Sequence, residues 1–263
     1  VLDAGCSEIG RPYFAMELVS GEPINAWCDE QGTSIKDRVR LMIDVCAAVQ
    51  HAHQKGVVHR DIKPSNVLVC DVDGQSVVKV IDFGVAKAVS EEAPLDGEVT
   101  SASQIIGTID FMAPEQTLGG QADLDTRVDV YGLGGLLYQL LSGALPLDSA
   151  SRAAESLDER VRVIREVVPE RPSQRVEPDR EGETVASRRA LSTRTLRSTL
   201  SGELDWITLK ALEKDRERRY ASTSELAADR QRFLGGEAVL AGPPSRVYRI
   251  SRFVSRNRAM VVG

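Results

Sequence analysis

The residues with the most chemical potential lie in one stretch, His59-Arg60-Asp61-Ile62-Lys63-Pro64-Ser65-Asn66. Sixteen residues after Asn66 comes Asp82-Phe83-Gly84, and beyond it stand Gly107-Thr108 and Ala113-Pro114-Glu115. A carboxylate held in a loop caps backbone amides or orients a reacting group. A lysine beside it offsets negative charge, and carboxylate and amide oxygens suit a hard divalent cation. Each short piece is common in unrelated chains. The ordered set, each in its own strand or loop context, is the informative signal. Other candidate ligands are poorly spaced. His51 and His53 are two apart, so on a helix they face different ways and a structural role fits them better. Cys6, Cys28, Cys46 and Cys70 show neither CxxC nor zinc spacing and read as reduced thiols.

The elements that must position these groups follow from the apolar pattern. Tyr13 to Val19 reads as a short buried strand ending in a Ser-Gly turn. Ile35 to Gln54 has Val39, Met42, Val45, Cys46 and Val49 at helical spacing, with Gly56 as its stop. Asn66 to Val69 and Val77 to Ile81 read as strands joined through Asp71-Val72-Asp73-Gly74. Val128 to Leu141 is apolar all round and reads as a central buried helix. Arg160 to Val168 has a helical pattern, whereas the Arg/Glu/Ser-rich remainder of 149–200 reads as a loose surface insertion. Leu204 to Leu212 and Ser224 to Leu234 read as further helices.

The chain has 263 residues, 42% hydrophobic and 27% charged, with a net charge of −6. That excludes wholesale disorder, a collagen-like repeat and a polytopic membrane protein. The charge is uneven. No acidic residue follows Glu237, while Arg246, Arg249, Arg252, Arg256 and Arg258 do, so the tail carries +5 and the rest −11. An acidic body argues against nucleic acid as a partner.

Taken in order, the motifs resemble those of the eukaryotic-type (Hanks-type) serine/threonine protein kinases of the bacterial receptor-like kind. The resemblance covers about residues 11 to 235 and implies an α+β, mostly α, protein-kinase-like fold: a C-terminal lobe with its hinge strand, the small-lobe β-sheet largely absent. It implies the last small-lobe strand and hinge at 1–19, the large lobe at 20–235 and a basic juxtamembrane-like tail at 236–263. It implies ATP and Mg²⁺ as cofactors and transfer of the γ-phosphoryl group to Ser or Thr of a protein substrate, with self-phosphorylation in trans. Asp61 would orient the substrate hydroxyl, Lys63 would offset phosphoryl charge, and Asn66 and Asp82 would hold Mg²⁺. Thr108 would contact Asp61 and Lys63. Met16, Glu17, Val19 and Leu68 would line the adenine site. His59, Arg60, Phe83, Gly84, Asp129 and the pair Glu115–Arg219 would give structural support, and Thr100, Ser101 and Ser103 would be phosphorylated. Phe111 stands where the family usually has Tyr.

No Gly-rich GxGxxG loop and no strand lysine of VAIK type occurs in the sequence. The expectation is therefore a truncated record of an active kinase, with little ATP-dependent transfer by residues 1–263 alone. The alternative is an inactive kinase-like scaffold. A small-molecule phosphotransferase is disfavoured by Lys63-Pro64 and the segment Gly107 to Glu115. The arginines ahead of Ala259-Met260-Val261-Val262 raise the further expectation of a span beyond Gly263, which would make the lobe cytoplasmic and the full-length protein a single-pass inner-membrane protein.

Overall fold

Asp3–Cys6 (β1) and Pro12–Ala15 (β2) pair antiparallel, with Asp3 opposite Ala15 and Cys6 opposite Pro12. The computed structural model describes residues 3–7, 12–83, 109–118, 124–147, 156–176, 185–189, 191–243 and 245–256. The strand read from Tyr13 to Val19 is shorter and less covered than expected. It ends at Ala15, and Tyr13 and Met16 are both nearly half exposed. A two-stranded ribbon has only one neighbour to pack on, so Tyr13 stays half in water.

Glu22–Pro23 (β3) runs into Ile24–Glu30 (α1), and Ile35–Gln54 (α2) follows. Ser34 starts α2 by accepting a hydrogen bond from the Asp37 amide at 3.3 Å. Its buried stripe, Val39, Met42, Val45, Cys46 and Val49, is the one its spacing predicts. A 3₁₀ turn over Pro64–Asn66 then leads into Val67–Val72 (β4), which pairs with β3 and with Gln75–Val80 (β5). Asp73 and Gly74 make the tight turn between them with φ of 54° and 77°, a left-handed pair that suits a two-residue hairpin.

Arg127–Ser142 (α3) forms the centre of the lobe, buried along nearly its whole length, as a helix apolar on every face requires. Gly132 lets it lie directly on the loop that carries the chemistry. A Cβ there would sit 2.9 Å from the Ile62 side chain and 3.3 Å from its carbonyl oxygen.

Leu157–Glu166 (α4), a single helical turn over Pro172–Arg175, and Thr193–Leu200 (α5) occupy the region expected to be a loose insertion. Part of it is packed into the molecule. Val176, Ala186, Leu196 and Leu200 belong to the main core, and Arg189 is 1% exposed. The Arg189 guanidinium caps the C-terminal end of α3, donating to the carbonyls of Leu140 and Leu141 at 2.9 Å each. Burial pulls its pKa down to about 10, and nearby Arg38 adds to the effect, while Asp29 opposes it. A high arginine content suggested a surface; here one arginine ties off the unpaired carbonyls of a central helix.

Glu203–Ala211 (α6) and Thr223–Leu234 (α7) complete the lobe, and Arg246–Arg256 (α8) lies in the basic tail. Among the described residues no helix is long and apolar enough to cross a membrane.

Candidate active site

The octapeptide around Asp61 is an irregular loop between α2 and β4, and it is held from below by one carboxylate. Asp129, in the first turn of α3 and 1% exposed, accepts from the His59 amide at 2.8 Å and the Arg60 amide at 2.7 Å. His53, near the end of α2, adds its ring Nε2 at 2.7 Å. With three donors on it, the Asp129 carboxylate replaces the water that these backbone groups would otherwise need.

Arg60 takes a positive φ of 66°, which a non-glycine residue adopts only when its surroundings enforce it. Its amide goes to Asp129, and its carbonyl accepts from the Gln116 side chain at 2.8 Å. Gln116 also accepts from the Ala113 amide at 2.9 Å, so it joins the Ala113-Pro114-Glu115 turn to the loop. No sequence feature singled out Gln116, because an amide beside a known motif gives no spacing signal.

The next link runs through His59. Its Nε2 meets the Ile81 carbonyl at 2.9 Å, and its Nδ1 accepts from the Asp61 amide at 3.3 Å. These partners place the proton on Nε2. The ring also packs against Phe83 with centroids 4.7 Å apart. The segment carrying Asp82 is thereby tied to the segment carrying Asp61. The Ile81 amide donates to the Asn66 carbonyl at 2.9 Å and makes a second tie. Asp82 itself has φ of 61°, another left-handed non-glycine residue, beside the loop that holds the first.

At the surface end, Asp61 stands between two donors. Lys63 Nζ lies 2.8 Å from its Oδ2, and Asn66 Nδ2 donates to the same oxygen at 3.0 Å and to the Asp61 carbonyl at 2.9 Å. The Asp61 side chain is 29% exposed, so it is fixed in orientation and still reachable from solvent. Because the Asn66 amide nitrogen faces Asp61, its Oδ1 turns the other way, where it accepts a long bond from the Ser65 hydroxyl at 3.4 Å and keeps a second lone pair. That oxygen and the Asp82 carboxylate are hard donors carried on two tied segments. They fit a Mg²⁺ ion, which takes few protein ligands beside phosphate oxygens and water. Among the described residues no group of three His, Cys, Asp or Glu side chains could hold a metal by itself.

A model of the protein kinase domain matches residues 6–229. The chain belongs to the protein kinase family. It is 37% identical over 215 residues to the serine/threonine-protein kinase Pkn1 of Myxococcus xanthus, covering 81% of this chain and 26% of that protein. It is 33% identical over 227 residues to the serine/threonine-protein kinase PknB of Mycobacterium tuberculosis, covering 86% of this chain and 31% of that one. The chain thus spans about a third or less of the length of these curated relatives. The crystal structure of a mutant of the Mycobacterium tuberculosis PknI kinase domain superposes with a TM-score of 0.56 at 23% identity, over 88% of this chain and 68% of that one. The mostly helical kinase fold with a reduced sheet is the architecture expected from the sequence.

The remaining expected kinase positions are distributed unevenly. Glu115 and Arg219 form a two-pronged ion pair at 2.6 and 2.8 Å, with the Arg219 side chain fully buried over the Tyr131 ring at 5.0 Å. Beside it, Lys214 donates to the Ile164 carbonyl at 2.7 Å, and burial, with help from Arg219, pulls its pKa down to about 8. Leu68 is buried on β4 opposite Lys79 of β5, and Lys79 reaches Glu17 at 3.2 Å. Met16 is 45% exposed and Val19 is partly covered. Phe111, at the position where the family usually has Tyr, is buried against Gly135 of α3. Gly84, Thr100, Ser101, Ser103 and Thr108 lie outside the described residues, so their expected roles stay with the sequence.

Proposed function

We propose that this chain carries the catalytic loop and the metal-binding segment of a serine/threonine protein kinase that transfers the γ-phosphoryl group of ATP to protein Ser or Thr hydroxyls. The observation that supports this most is the bracketing of Asp61 by Lys63 and Asn66 at 2.8 and 3.0 Å, on a loop anchored by Asp129. Asp61 accepts the hydrogen bond of the incoming hydroxyl and aligns it. Phosphoryl transfer demands positioning and charge neutralisation rather than a strong base, and a fixed carboxylate supplies the first. Lys63 keeps a positive charge at the point where the transferred group gains negative charge. Asn66 and Asp82 would hold Mg²⁺, which would supply neutralisation of phosphate charge. Met16, Glu17, Val19 and Leu68 form the base-binding side. Glu115–Arg219 keeps the turn after Ala113 in place, and through Gln116 that turn supports the Arg60 carbonyl.

The relatives' names state serine/threonine-protein kinase, and on that basis a Ser- or Thr-bearing protein substrate belongs to the proposal. Self-phosphorylation in trans at Thr100, Ser101 or Ser103 and membrane attachment of the whole protein belong to it on the sequence reading alone.

The test is phosphoryl transfer by the full-length gene product, offered protein substrates in one arm and aminoglycosides or choline in the other. Transfer to protein alone is expected, with Asp61→Asn lowering kcat by about 10²–10⁴-fold at unchanged thermal stability. Transfer to the small molecules, or an Asp61→Asn variant of undiminished rate, overturns the reading.

A further inference from the structure

The basic tail contains a two-faced helix, α8. On one side of α8, Tyr248 donates to the Glu203 carboxylate and accepts from the Val239 amide at 3.0 Å. Its ring packs edge-on against Trp206 with centroids 5.4 Å apart. Arg252, four residues on and on the same face, reaches the other Glu203 oxygen at 2.5 Å. Glu203 is 5% exposed, so one nearly buried carboxylate at the start of α6 holds two residues of α8. Gly242 makes the approach possible, since a Cβ there would meet Tyr248 at 3.0 Å and Trp206 at 3.2 Å.

The opposite side carries Val247, Ile250 and Val254, at three-to-four spacing and 76%, 61% and 38% exposed. Val247 and Ile250, β-branched and mostly in water, bury little of their apolar surface against this lobe. Arg249 is exposed on the same helix. The tail after Glu237 contains five arginines and no acidic residue, while the rest of the chain carries a net −11. An apolar stripe on an arginine-bearing helix is the pattern of a helix that lies in a lipid interface. Such arginines are attracted to anionic lipid, and an acidic lobe is repelled by it. The α8 face combines both attractions.

We propose that α8 is an interfacial helix that lays Val247, Ile250 and Val254 into an anionic lipid surface while Tyr248 and Arg252 keep it clamped to Glu203 of the lobe. The clamp presents the lobe to the surface in one orientation, with the α6 side towards the lipid. The inference stands apart from the phosphoryl chemistry and from any spanning segment, because the apolar stripe and the clamp both lie between Glu203 and Val254.

The test uses residues 1–263 in sedimentation with two vesicle types, pure phosphatidylcholine and phosphatidylcholine doped with phosphatidylglycerol. Binding to the doped vesicles alone is expected, weakening as salt is raised. Ile250→Glu and Val247→Glu each lower it about tenfold or more, with unchanged thermal melting because both positions are exposed. Arg249→Glu lowers it about tenfold through charge. With Trp27→Phe in the background, Trp206 is the sole tryptophan, and its emission stays unshifted on binding if the clamp holds. Equal binding to both vesicle types, no binding to either, or undiminished binding by Ile250→Glu overturns the interfacial reading. A self-association that Ile250→Glu abolishes, without vesicle binding, makes the face a contact between copies instead. A red shift of Trp206 on binding overturns the clamp.

Discussion

Asp129 and Asp229 do the same job on two different helices. Each is an almost fully buried carboxylate on a helix that collects two backbone amides from an irregular segment. Asp129 takes His59 and Arg60 at 2.8 and 2.7 Å, and Asp229 takes Leu240 and Ala241 at 2.5 and 2.9 Å. Each also holds a ring group, His53 in the first case and the Tyr220 hydroxyl in the second. The difference lies in what the held segment can do when released. The Asp61 loop is fixed at both ends, by α2 and by β4, and Arg60 in it is held at a positive φ. The segment after α7 runs into α8 with Leu240 59% exposed, so its backbone lies nearer to water than the loop does. One anchor therefore sustains strain, and the other sets the position of an attachment.

The largest expected effect follows from replacing the first anchor. Asp129→Asn turns one acceptor into an NH₂ donor facing N–H groups. The amides of His59 and Arg60 cannot leave for water without unfolding the loop, so the cost is about 3–5 kcal/mol. Urea unfolding measures it, and in the full-length protein the same variant loses phosphoryl transfer as Asp61 drifts out of alignment. A loss of stability below about 1 kcal/mol would show that Arg60 holds its conformation by other means, Gln116 being the first candidate.

The two anchors also differ in how far the sequence announces them. The motif order carries the role of Asp129 with it, and the apolar run from Val128 marks its helix. Asp229 sits in an ordinary polar stretch, and its partners are backbone amides eleven and twelve residues away. Backbone amides have no side-chain signature, so nothing in the local pattern points to them. The same blindness covers Gln116 on the Arg60 carbonyl and Arg189 at the end of α3. Long-range side chain-to-backbone bonds decide these positions, and spacing rules see only side chains. The central helix, the β4–β5 hairpin and the Asp61–Asn66 cluster are legible because each is local or carries a fixed motif.

A smaller effect is expected at the second anchor. Asp229→Asn creates the same mismatch, now with the Leu240 and Ala241 amides and the Tyr220 hydroxyl. Leu240 is already 59% exposed, so the segment can shed its unpaired amides to water. The cost is capped by the docking energy of the tail, about 1–2 kcal/mol. Limited proteolysis should cut between Gly235 and Arg246 in this variant and leave the rest of the lobe intact. If Asp229→Asn proves as destabilising as Asp129→Asn, the tail is part of the cooperative core, and the contrast between the anchors fails.

The smallest effect distinguishes the two regions by pH. Burial, with the Glu203 hydrogen bond adding to it, pushes the Tyr248 phenol up to about 12 from its usual 10. The docked tail thus binds this proton more tightly than a released one does. The contribution is complete below pH 10 and is lost as pH rises through 12. The Asp61-loop anchor uses a carboxylate, two amides and an imidazole, and among the described residues no phenol enters it. Raising the pH from 10 to 12 should therefore loosen α8 before it disturbs the loop. In a Trp27→Phe background, Trp206 emission should red-shift through that window, and Tyr248→Phe should remove the pH dependence because its ring keeps the stacking and has no proton to lose. A shift that persists in Tyr248→Phe would assign the loosening to another group. Tyr220 is the next to consider, since burial first and Asp229 second drive its phenol further in the same direction. That outcome would put the pH-sensitive bond at the Asp229 anchor itself, one step closer to the core than the Glu203 clamp.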